Sequence, residues 1–540
     1  MRGLTKSEEW RPDPYWGKFV ACGLLLVVCL LLPLVSVYAN NVSVTNVSIS
    51  GIDSTYPIVE FDISWDNSWR FGAYRDAAWV FVKYSVDNEA PYKHLTISSV
   101  DLGSSTGTEV TATRSSDKKG IFIHRSQDGS GSVSSQKIRI KWEKTTDNLN
   151  VSADKIEVKV FALEMVYIPE GSFYLGDSDN SETNSFFRAD GSYTEGEALG
   201  PYPVTSEDAI TVGTADGNLY YDADNDNSGD QLGPIPVDFP KGYQAFYIMK
   251  YEIAQKQYID FLNSLSRSQQ DARVASDISA GNTRPVDSKV FVMTNTDEPQ
   301  DRNGIRCPIY FEPTEPVYFY SDLNNNDLFN EADDGEWIAC NYLSVMDVAA
   351  YADWAALRPM TELEFEKACR GTKQVVDNEY AWGNSTLEAA TSSLIGAGTK
   401  DETANQGNLN YSSCSPNGPY RVGIYAESSS DREDAGASFY GAMELSGNLW
   451  ERPVTVGNST GRSFTGTHGD GSLSSSGYAD NSDWPGYSSG TVSGATGSGL
   501  RGGHWSSSSS YSRVSDRYYA ADVLTYRGNH NGGRAVRTSP

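Results

Sequence analysis

Four stretches in the first third of the chain alternate apolar and polar side chains with a period of two. They lie at 58–65, 79–84, 137–142 and 155–160, and turn-rich stretches such as 127–135 separate them. A period of two puts every second side chain on the same face of a β-strand, so each stretch can bury one face in a core. We therefore predict that 41–163 form an all-β sandwich module, immunoglobulin-like in size.

The pattern changes at Met165, after which loops are long and Gly, Ser, Asn and Asp dominate. Three helices are predicted there: one near 252–264, one that Ser344 and Asp347 open, and one that Thr361 and Glu364 open and Gly371 ends. This pattern predicts an α+β, loop-rich second domain over 164–540. The tract 457–499 consists almost entirely of Gly, Ser, Thr and Asp, which predicts a mobile surface loop.

Residues 1–39 are predicted to be a signal peptide. Lys18 precedes an apolar run from Phe19 to Val37, and the residues up to Ala39 offer a cleavage site. The run, at about 19 residues, is also long enough to stay as a membrane anchor if it is not cleaved. We expect an exported protein that is secreted, periplasmic or at the cell surface, with membrane contact only if this segment is retained.

The net charge limits which partners the protein can bind, and the cysteines bear on the redox state of its compartment. A net charge of −28 argues against nucleic acid as a partner. Acidic residues in such number can serve loops that bind hard cations, or they can simply keep the surface soluble. Cys307, Cys340, Cys369 and Cys414 follow the leader. In an oxidising compartment they predict one or two disulfides, and the sequence does not choose the pairing.

A series of segments after residue 164 resembles the formylglycine-generating enzyme (sulfatase-modifying factor) family. The segments, in chain order, are 165–173, 246–252, 357–362, 369–371, 380–384, 446–451, 500–505 and 532–534. The resemblance implies a single irregular, C-type-lectin-like domain over 164–540. It implies nothing about the β-module.

The family's copper chemistry is not expected here. The resemblance implies that active members oxidise a substrate cysteine with Cu(I), held by two cysteines a few residues after a Gly-Gly motif. The aligned positions after Gly502 and Gly503 are Ser507 and Ser512. Cu(I) prefers soft thiolates, whereas a hydroxyl is a hard, weak ligand that stays protonated near neutral pH.

The resemblance also implies an aromatic groove. Trp450 and Tyr511 match aromatic positions that line the active groove of the family. His504 stands in this region as a candidate base, although a histidine beside Trp505 near a strand is more often structural. The groove candidates are therefore Trp450, His504, Ser507, Tyr511 and Ser512.

Calcium is the expected cofactor. The resemblance implies that Glu444, Gly447, Leu449 and Glu451 hold Ca²⁺, and two carboxylates with backbone carbonyls supply the hard oxygens that this ion needs. A second family site would begin at Asn405, but its downstream Asp-Gly-Phe partner is absent.

Two acidic inserts are further calcium candidates. One alternates carboxylates at Asp222, Asp224, Asp226 and Asp230, as EF-hand-type loops do. The other has a similar spacing at Asp322, Asn324, Asn326, Asn330 and Asp333, with Asp327 where the turn glycine usually stands. Each is equally readable as a solvated Asn/Asp-rich turn.

Three functions remain open. The missing cysteine pair favours a non-catalytic binding or surface protein whose groove takes an extended peptide or a cell-surface ligand. The retained Trp450, Tyr511 and Arg501 favour an oxidoreductase that generates formylglycine by another route, or a related oxidase. Export, acidity and the β-module would also suit a structural component of a cell-surface assembly.

Overall fold

The computed structural model describes most of the chain after residue 40. The described ranges are 41–105, 108–149, 155–177, 184–191, 200–221, 227–279, 290–308, 311–312, 314–390, 393–413, 415–427 and 429–540. They belong to one compact unit that extends to Pro540. Within these ranges no helix is long and apolar enough to cross a membrane. The predicted leader, residues 1–39, lies outside them.

The N-terminal part consists of strands joined by turns. These strands are β1 (Ser43–Ser50), β2 (Ile58–Phe71), β3 (Tyr74–Val86), β4 (Lys93–His94), β5 (Ile97–Asp101), β6 (Ser104–Ser105), β7 (Val110–Arg114), β8 (Ile121–Arg125), β9 (Gly129–Trp142) and β10 (Ile156–Ile168). Each of the four predicted stretches falls on a strand, namely β2, β3, β9 and β10. The alternation was therefore a correct signal of β-structure here.

The strands form two antiparallel layers over a common apolar core. β2 pairs with β1 and β9, whereas β3 pairs with β8 and β10. β2 and β3 pair with each other only beside their hairpin. Phe61 and Ile63 of β2 share one buried cluster with Val80 and Val82 of β3. Strands of both groups thus contribute to one buried cluster, while the immunoglobulin-like sandwich stays a prediction.

β3 is buried on both faces rather than on the one that its pattern predicted. Its even-numbered side chains face the N-terminal core, whereas Trp79 and Phe81 belong to the core of the C-terminal part. Phe81 meets the ring of Trp354 edge-on at a centroid distance of 5.1 Å. Trp79 donates its indole N–H to the carbonyl of Ala355 at 2.9 Å. The two parts of the chain therefore pack through this strand.

β10 continues across the predicted domain boundary at residue 163. Its residues from Ile156 to Val166 pair with β3, and those from Met165 to Ile168 pair with β15 (Phe246–Met249). The last strand of the chain, Val536–Thr538, then pairs with β15. The number of independent domains stays a prediction, but one continuous strand contributes to both parts.

The C-terminal part has short strands and few helices, so the whole is a mixed structure with much β-sheet. Its remaining strands are β11 (Phe173–Leu175), β12 (Phe186–Arg188), β13 (Tyr202–Val204), β14 (Leu219–Tyr221), β16 (Val290–Phe291), β17 (Ile305–Cys307), β18 (Tyr320–Ser321), β19 (Leu394–Ile395), β20 (Thr403–Ala404), β21 (Tyr487–Ser488), β22 (Thr491–Val492) and β23 (Val536–Thr538). The helices are α1 (Gln255–Leu262), α2 (Arg267–Arg273), α3 (Val345–Trp354), α4 (Glu362–Arg370), α5 (Ser459–Arg462) and a 3₁₀ turn (Ser509–Ser512).

The three predicted helices are present as α1, α3 and α4. Ser344 caps α3 by accepting from the backbone N–H of Asp347, and Thr361 caps α4 in the same way through Glu364. Gly371 ends α4 with a φ of 69°, a backbone conformation that favours glycine.

α4 also begins with a fully buried carboxylate. Glu362 accepts hydrogen bonds from the guanidinium groups of Arg501 and Arg517, and neither of these arginines is exposed. Paired charges of this kind are costly to break because each partner alone would be left uncompensated in a medium of low polarity.

Two sequence predictions are wrong in this part. The tract 457–499 is not a surface loop, since Phe464, Trp484 and Val492 are buried in the core. Its many glycines lack a Cβ and so allow close backbone contacts; a Cβ on Gly461, for example, would overlap with the carbonyl of Thr455. Disulfides among Cys307, Cys340 and Cys369 are also absent, because all three are buried free thiols. Cys414 lies outside the described residues.

Candidate functional site

Three family-like segments converge on one place in the fold. The backbone N–H of Trp450 donates to the carbonyl of His530 at 2.9 Å. Glu451 and Arg501 exchange backbone hydrogen bonds, and Trp505 donates to the carbonyl of Asn448 at 2.9 Å. These contacts join segments that lie far apart in the sequence, and they put the side chains around Trp450 in fixed positions.

Six ring-bearing side chains meet there and are called the aromatic cluster below: Trp450, His504, Tyr511, Tyr518, Tyr519 and His530. The ring of Trp450 lies 5.3 Å from that of His504, 6.2 Å from that of Tyr511 and 5.8 Å from that of Tyr519, between centroids. His504 stacks on His530 at 4.5 Å. Trp450 is buried, while the other five rings are half-buried and offer faces and edges to solvent.

The aromatic cluster is electrically neutral at neutral pH. Burial, and secondarily His530, lowers the pKa of His504 to about 3. Burial and then Arg452 lower the pKa of His530 as well. Burial together with the neighbouring phenols raises the pKa of Tyr519 to about 12. A general base works best when its pKa lies near the working pH, so His504 is poorly suited to that role.

The two serines at the aligned copper positions are both buried. The hydroxyl of Ser507 accepts from the backbone N–H of His504 at 3.0 Å and donates to the carbonyl of the same residue at 2.9 Å. The hydroxyl oxygen of Ser512 is fully buried and has no hydrogen-bond partner. It lies against Gly503, where a Cβ would overlap with it. Ser507 is thus held within its own turn, and Ser512 fills a gap beside the Gly-Gly motif.

The three described thiols do not replace the missing pair. Burial raises the pKa of the Cys307 thiol to about 12 and that of Cys340 and Cys369 above the ordinary range. A thiol with a raised pKa stays protonated, and the thiolate is the form that binds a metal. Cys369 lies in a cluster of apolar side chains with Phe365 and Val514.

The predicted calcium residues form a strained, buried loop. Glu444 has a φ of 53° and Asn448 a φ of 62°, so the chain turns through left-handed conformations on both sides of Gly447. Glu444 accepts from the backbone N–H of Gly423 at 2.6 Å, and its second carboxylate oxygen is buried without a partner. Glu451 accepts from Arg534 at 2.5 Å, and its second oxygen is likewise buried without a partner.

A third carboxylate, which the sequence reasoning did not single out, adjoins this loop. Glu252 accepts from the amide of Asn448 at 2.5 Å and from the backbone N–H of Leu449 at 2.9 Å. Burial raises the pKa of Glu252, and the charges of Glu451 and Glu444 raise it further. Burial also raises the pKa of Glu444 to about 7, against the lowering effect of Arg534. The negative charge here exceeds what the arginines compensate.

The other predicted metal residues lie elsewhere. Asn405 is exposed and donates to the hydroxyl of Ser393 at 3.0 Å. Asp230 accepts two hydrogen bonds from the guanidinium of Arg462, at 2.7 and 2.9 Å. Asp222, Asp224 and Asp226 lie outside the described residues.

Some members of the site were not predicted. His530, Tyr518 and Tyr519 join the aromatic cluster, and Glu252 and Arg534 join the predicted calcium residues at 444–451. A signal for two of them was available, because Glu252 ends one family-like segment and Arg534 ends another.

Comparison with known proteins identifies the protein family of the domain that carries this site. The model of the sulfatase-modifying factor enzyme 1-like domain matches residues 198–539. The chain therefore belongs to the sulfatase-modifying factor family, as the motifs indicated.

Two known proteins are similar to parts of this chain. Hercynine oxygenase from Mycolicibacterium smegmatis is 30% identical over 111 residues, which are 20% of this chain and 20% of that protein. PvdO from Pseudomonas aeruginosa has a solved structure that matches 70% of this chain and 95% of its own, at 16% identity and a TM-score of 0.31.

Proposed function

We propose that this protein is a non-catalytic binding or surface protein that uses the aromatic cluster to take an extended peptide or a cell-surface ligand. The observation that carries the proposal is the state of the two aligned positions. Ser507 bonds to the backbone of its own turn, and Ser512 is fully buried. Neither hydroxyl offers Cu(I) the soft sulfur donor that it prefers.

The aromatic cluster suits binding better than acid–base catalysis. Its histidines have lowered pKa values and its phenol Tyr519 a raised one, so none of these three rings is suited to exchange protons near neutral pH. Large amphipathic rings combine apolar area with hydrogen-bonding edges, and residues of this type dominate the energetics of protein interfaces. An uncharged ligand segment with apolar or aromatic side chains fits this surface.

Calcium would serve here as a structural cofactor. The partnerless oxygens of Glu444 and Glu451 are hard donors, and burial together with the neighbouring carboxylates raises the pKa of Glu252 and of Glu444. Negative charge is therefore costly at this place. When bound, Ca²⁺ would offset that charge. Glu444, Gly447, Leu449 and Glu451 would then hold the loop that carries Trp450.

The proposal also covers the cellular location of the protein and the role of its N-terminal part. We infer from the leader that it is exported, and that the N-terminal layers form an immunoglobulin-like sandwich ahead of a C-type-lectin-like domain. The packing of Trp79 and Phe81 on the C-terminal core supports a module that holds the binding surface at a fixed orientation.

The test has a catalytic arm and a binding arm. In the first, purified protein is supplied with copper and a cysteine-containing sulfatase peptide, and aldehyde is quantified by mass spectrometry. We expect none from the wild type, and Cu(I) binding only in the S507C/S512C double variant. Robust aldehyde formation by the wild type would reject the proposal.

In the binding arm, fluorescence anisotropy measures the affinity for the same peptide. We expect Tyr511→Ala to weaken binding about tenfold or more, as for an aromatic interface anchor. Tyr487→Ala is the matched control, because Tyr487 is an exposed tyrosine on β21. Equal affinities of the two variants would contradict a role for the aromatic cluster.

An oxidoreductase remains the second candidate, and the similarity to hercynine oxygenase favours it. Formylglycine formation by another route, or a related oxidation, would require a redox metal or another oxidising cofactor. Metal analysis of the purified protein separates the two functions. Stoichiometric iron or copper would favour the enzyme, and calcium alone would favour the binding protein.

A further inference from the structure

The insert between β18 and α3 carries more negative charge than its surroundings compensate. Its segment 322–334, called the acidic loop below, contains five carboxylates and no Lys, Arg or His. Arg306 donates to two of them, Asp322 and Asp327, the latter at 2.9 Å. In the described residues, no ion pair reaches the other three, Glu331, Asp333 and Asp334.

These three carboxylates come together in space. An oxygen of each lies within 4.8 Å of an oxygen of the other two. Among the residues that the structure describes, this is the one group of three acidic, histidine or cysteine side chains so arranged. A spacing of this size fits oxygen atoms that share one cation, since Ca²⁺–oxygen distances are about 2.3–2.6 Å.

Asp334 gives an independent observation that points to a cation. The residue is fully buried, and one of its carboxylate oxygens accepts from the backbone N–H of Glu331 at 2.7 Å. The other oxygen is buried and has no hydrogen-bond partner. A buried carboxylate oxygen without a partner is costly, and a bound cation removes that cost.

Two side-chain amides border the three carboxylates. The amide nitrogen of Asn326 donates to Glu331 at 2.6 Å, and that of Asn324 donates to Asp333 at 3.2 Å. Several carboxylate oxygens in a flexible loop are typical of Ca²⁺ sites, whereas Mg²⁺ demands a near-ideal octahedron and keeps much of its water.

We propose that the acidic loop binds one Ca²⁺ ion through Glu331, Asp333 and Asp334, with Asn324 and Asn326 beside them. This site is separate from the proposed calcium site at Glu444 and does not depend on the binding function. Its ion would offset two of the negative charges of the loop and tie its two ends, which already meet where Leu323 donates to the carbonyl of Asp334.

Calorimetric titration of the chelator-treated full chain with CaCl₂ tests the proposal. We expect Asp334→Asn and Asp333→Asn each to lose one calcium equivalent or to weaken it about tenfold or more. Asp333 is exposed, so its variant tests the site without disturbing the core. Asp53→Asn, an exposed carboxylate in the N-terminal part, is the matched control and should bind like the wild type.

A second variant keeps this site distinct from the first. Glu444→Gln should retain the equivalent that Asp333→Asn loses. Unchanged stoichiometry and affinity in both acidic-loop variants would overturn the proposal, whatever Glu444→Gln does. Equal competition by MgCl₂ for the same equivalent would overturn the assignment to calcium.

Discussion

Glu444→Gln should stabilise the calcium-free protein and destabilise the calcium-loaded one. The substitution keeps the shape of the side chain and the oxygen that accepts from Gly423. It removes a carboxylate whose pKa burial raises from 4.5 to about 7. At about 1.4 kcal/mol per pKa unit, the charged form costs the folded state about 3 kcal/mol.

The pH dependence follows from the direction of that shift. Because the folded state holds the proton of Glu444 more tightly than the unfolded state, stability falls as the pH rises from 4.5 to about 7. The loss is complete above pH 7 and absent below pH 4.5. In a chelator, the variant should therefore match the wild type at pH 4 and exceed it by up to about 3 kcal/mol at pH 8.

In calcium, the wild type should be more stable than Glu444→Gln. A ligand present at about 1,000 times its Kd adds about 4.1 kcal/mol to the folded wild type, which exceeds the cost of about 3 kcal/mol, whereas the variant lacks a carboxylate that would bind the ion. Urea unfolding followed by tryptophan fluorescence, in EGTA and in CaCl₂ at pH 4 and pH 8, measures all four cases. Glu89→Gln, an exposed carboxylate, is the control. If Glu444→Gln lowered the free energy of unfolding equally in EGTA and in calcium, the reasoning would be refuted.

Four other substitutions test the packing around the site by the same unfolding assay. Glu362→Gln should cost about 3–5 kcal/mol because it leaves the buried guanidinium of Arg517 without its carboxylate and that of Arg501 with Glu366 alone; a loss below about 1 kcal/mol would contradict this. Ser507→Ala should cost about 1 kcal/mol because it removes a hydrogen-bonded hydroxyl. Ser512→Ala should be neutral or stabilising because it removes a partnerless hydroxyl. A larger loss of stability in Ser512→Ala than in Ser507→Ala would contradict both expectations. Gly503→Ala should cost about 1–3 kcal/mol, since its φ of 73° and the adjacent hydroxyl both oppose a Cβ. The G503A/S512G double variant should recover part of that loss.

Features set by short-range chemistry were predictable from the sequence. The capping pairs at Ser344 and Thr361 identified α3 and α4, because each bond joins residues three positions apart. The family-like segments located the site, and their order identified the family.

Features set by long-range contacts were not predictable in the same way. Nothing local indicates that His530 stacks on His504, or that Ser512 lies against Gly503. The tract 457–499 was mispredicted for a related reason. Glycine and serine are typical of exposed loops, but the same lack of side-chain volume lets backbones pack closely in a core.

The continuity of β10 limits how the molecule can move or be divided. A strand that belongs to two packed parts leaves no flexible joint between them, so a pull on one end is transmitted through its hydrogen bonds to the other. Separation of the chain at residue 163 would leave Trp79 without its partner surface. It would also part residues 164–166 of β10 from residues 76–78 of β3 and so leave an unpaired strand edge on each piece. Such edges recruit other chains, so separately produced halves are expected to aggregate.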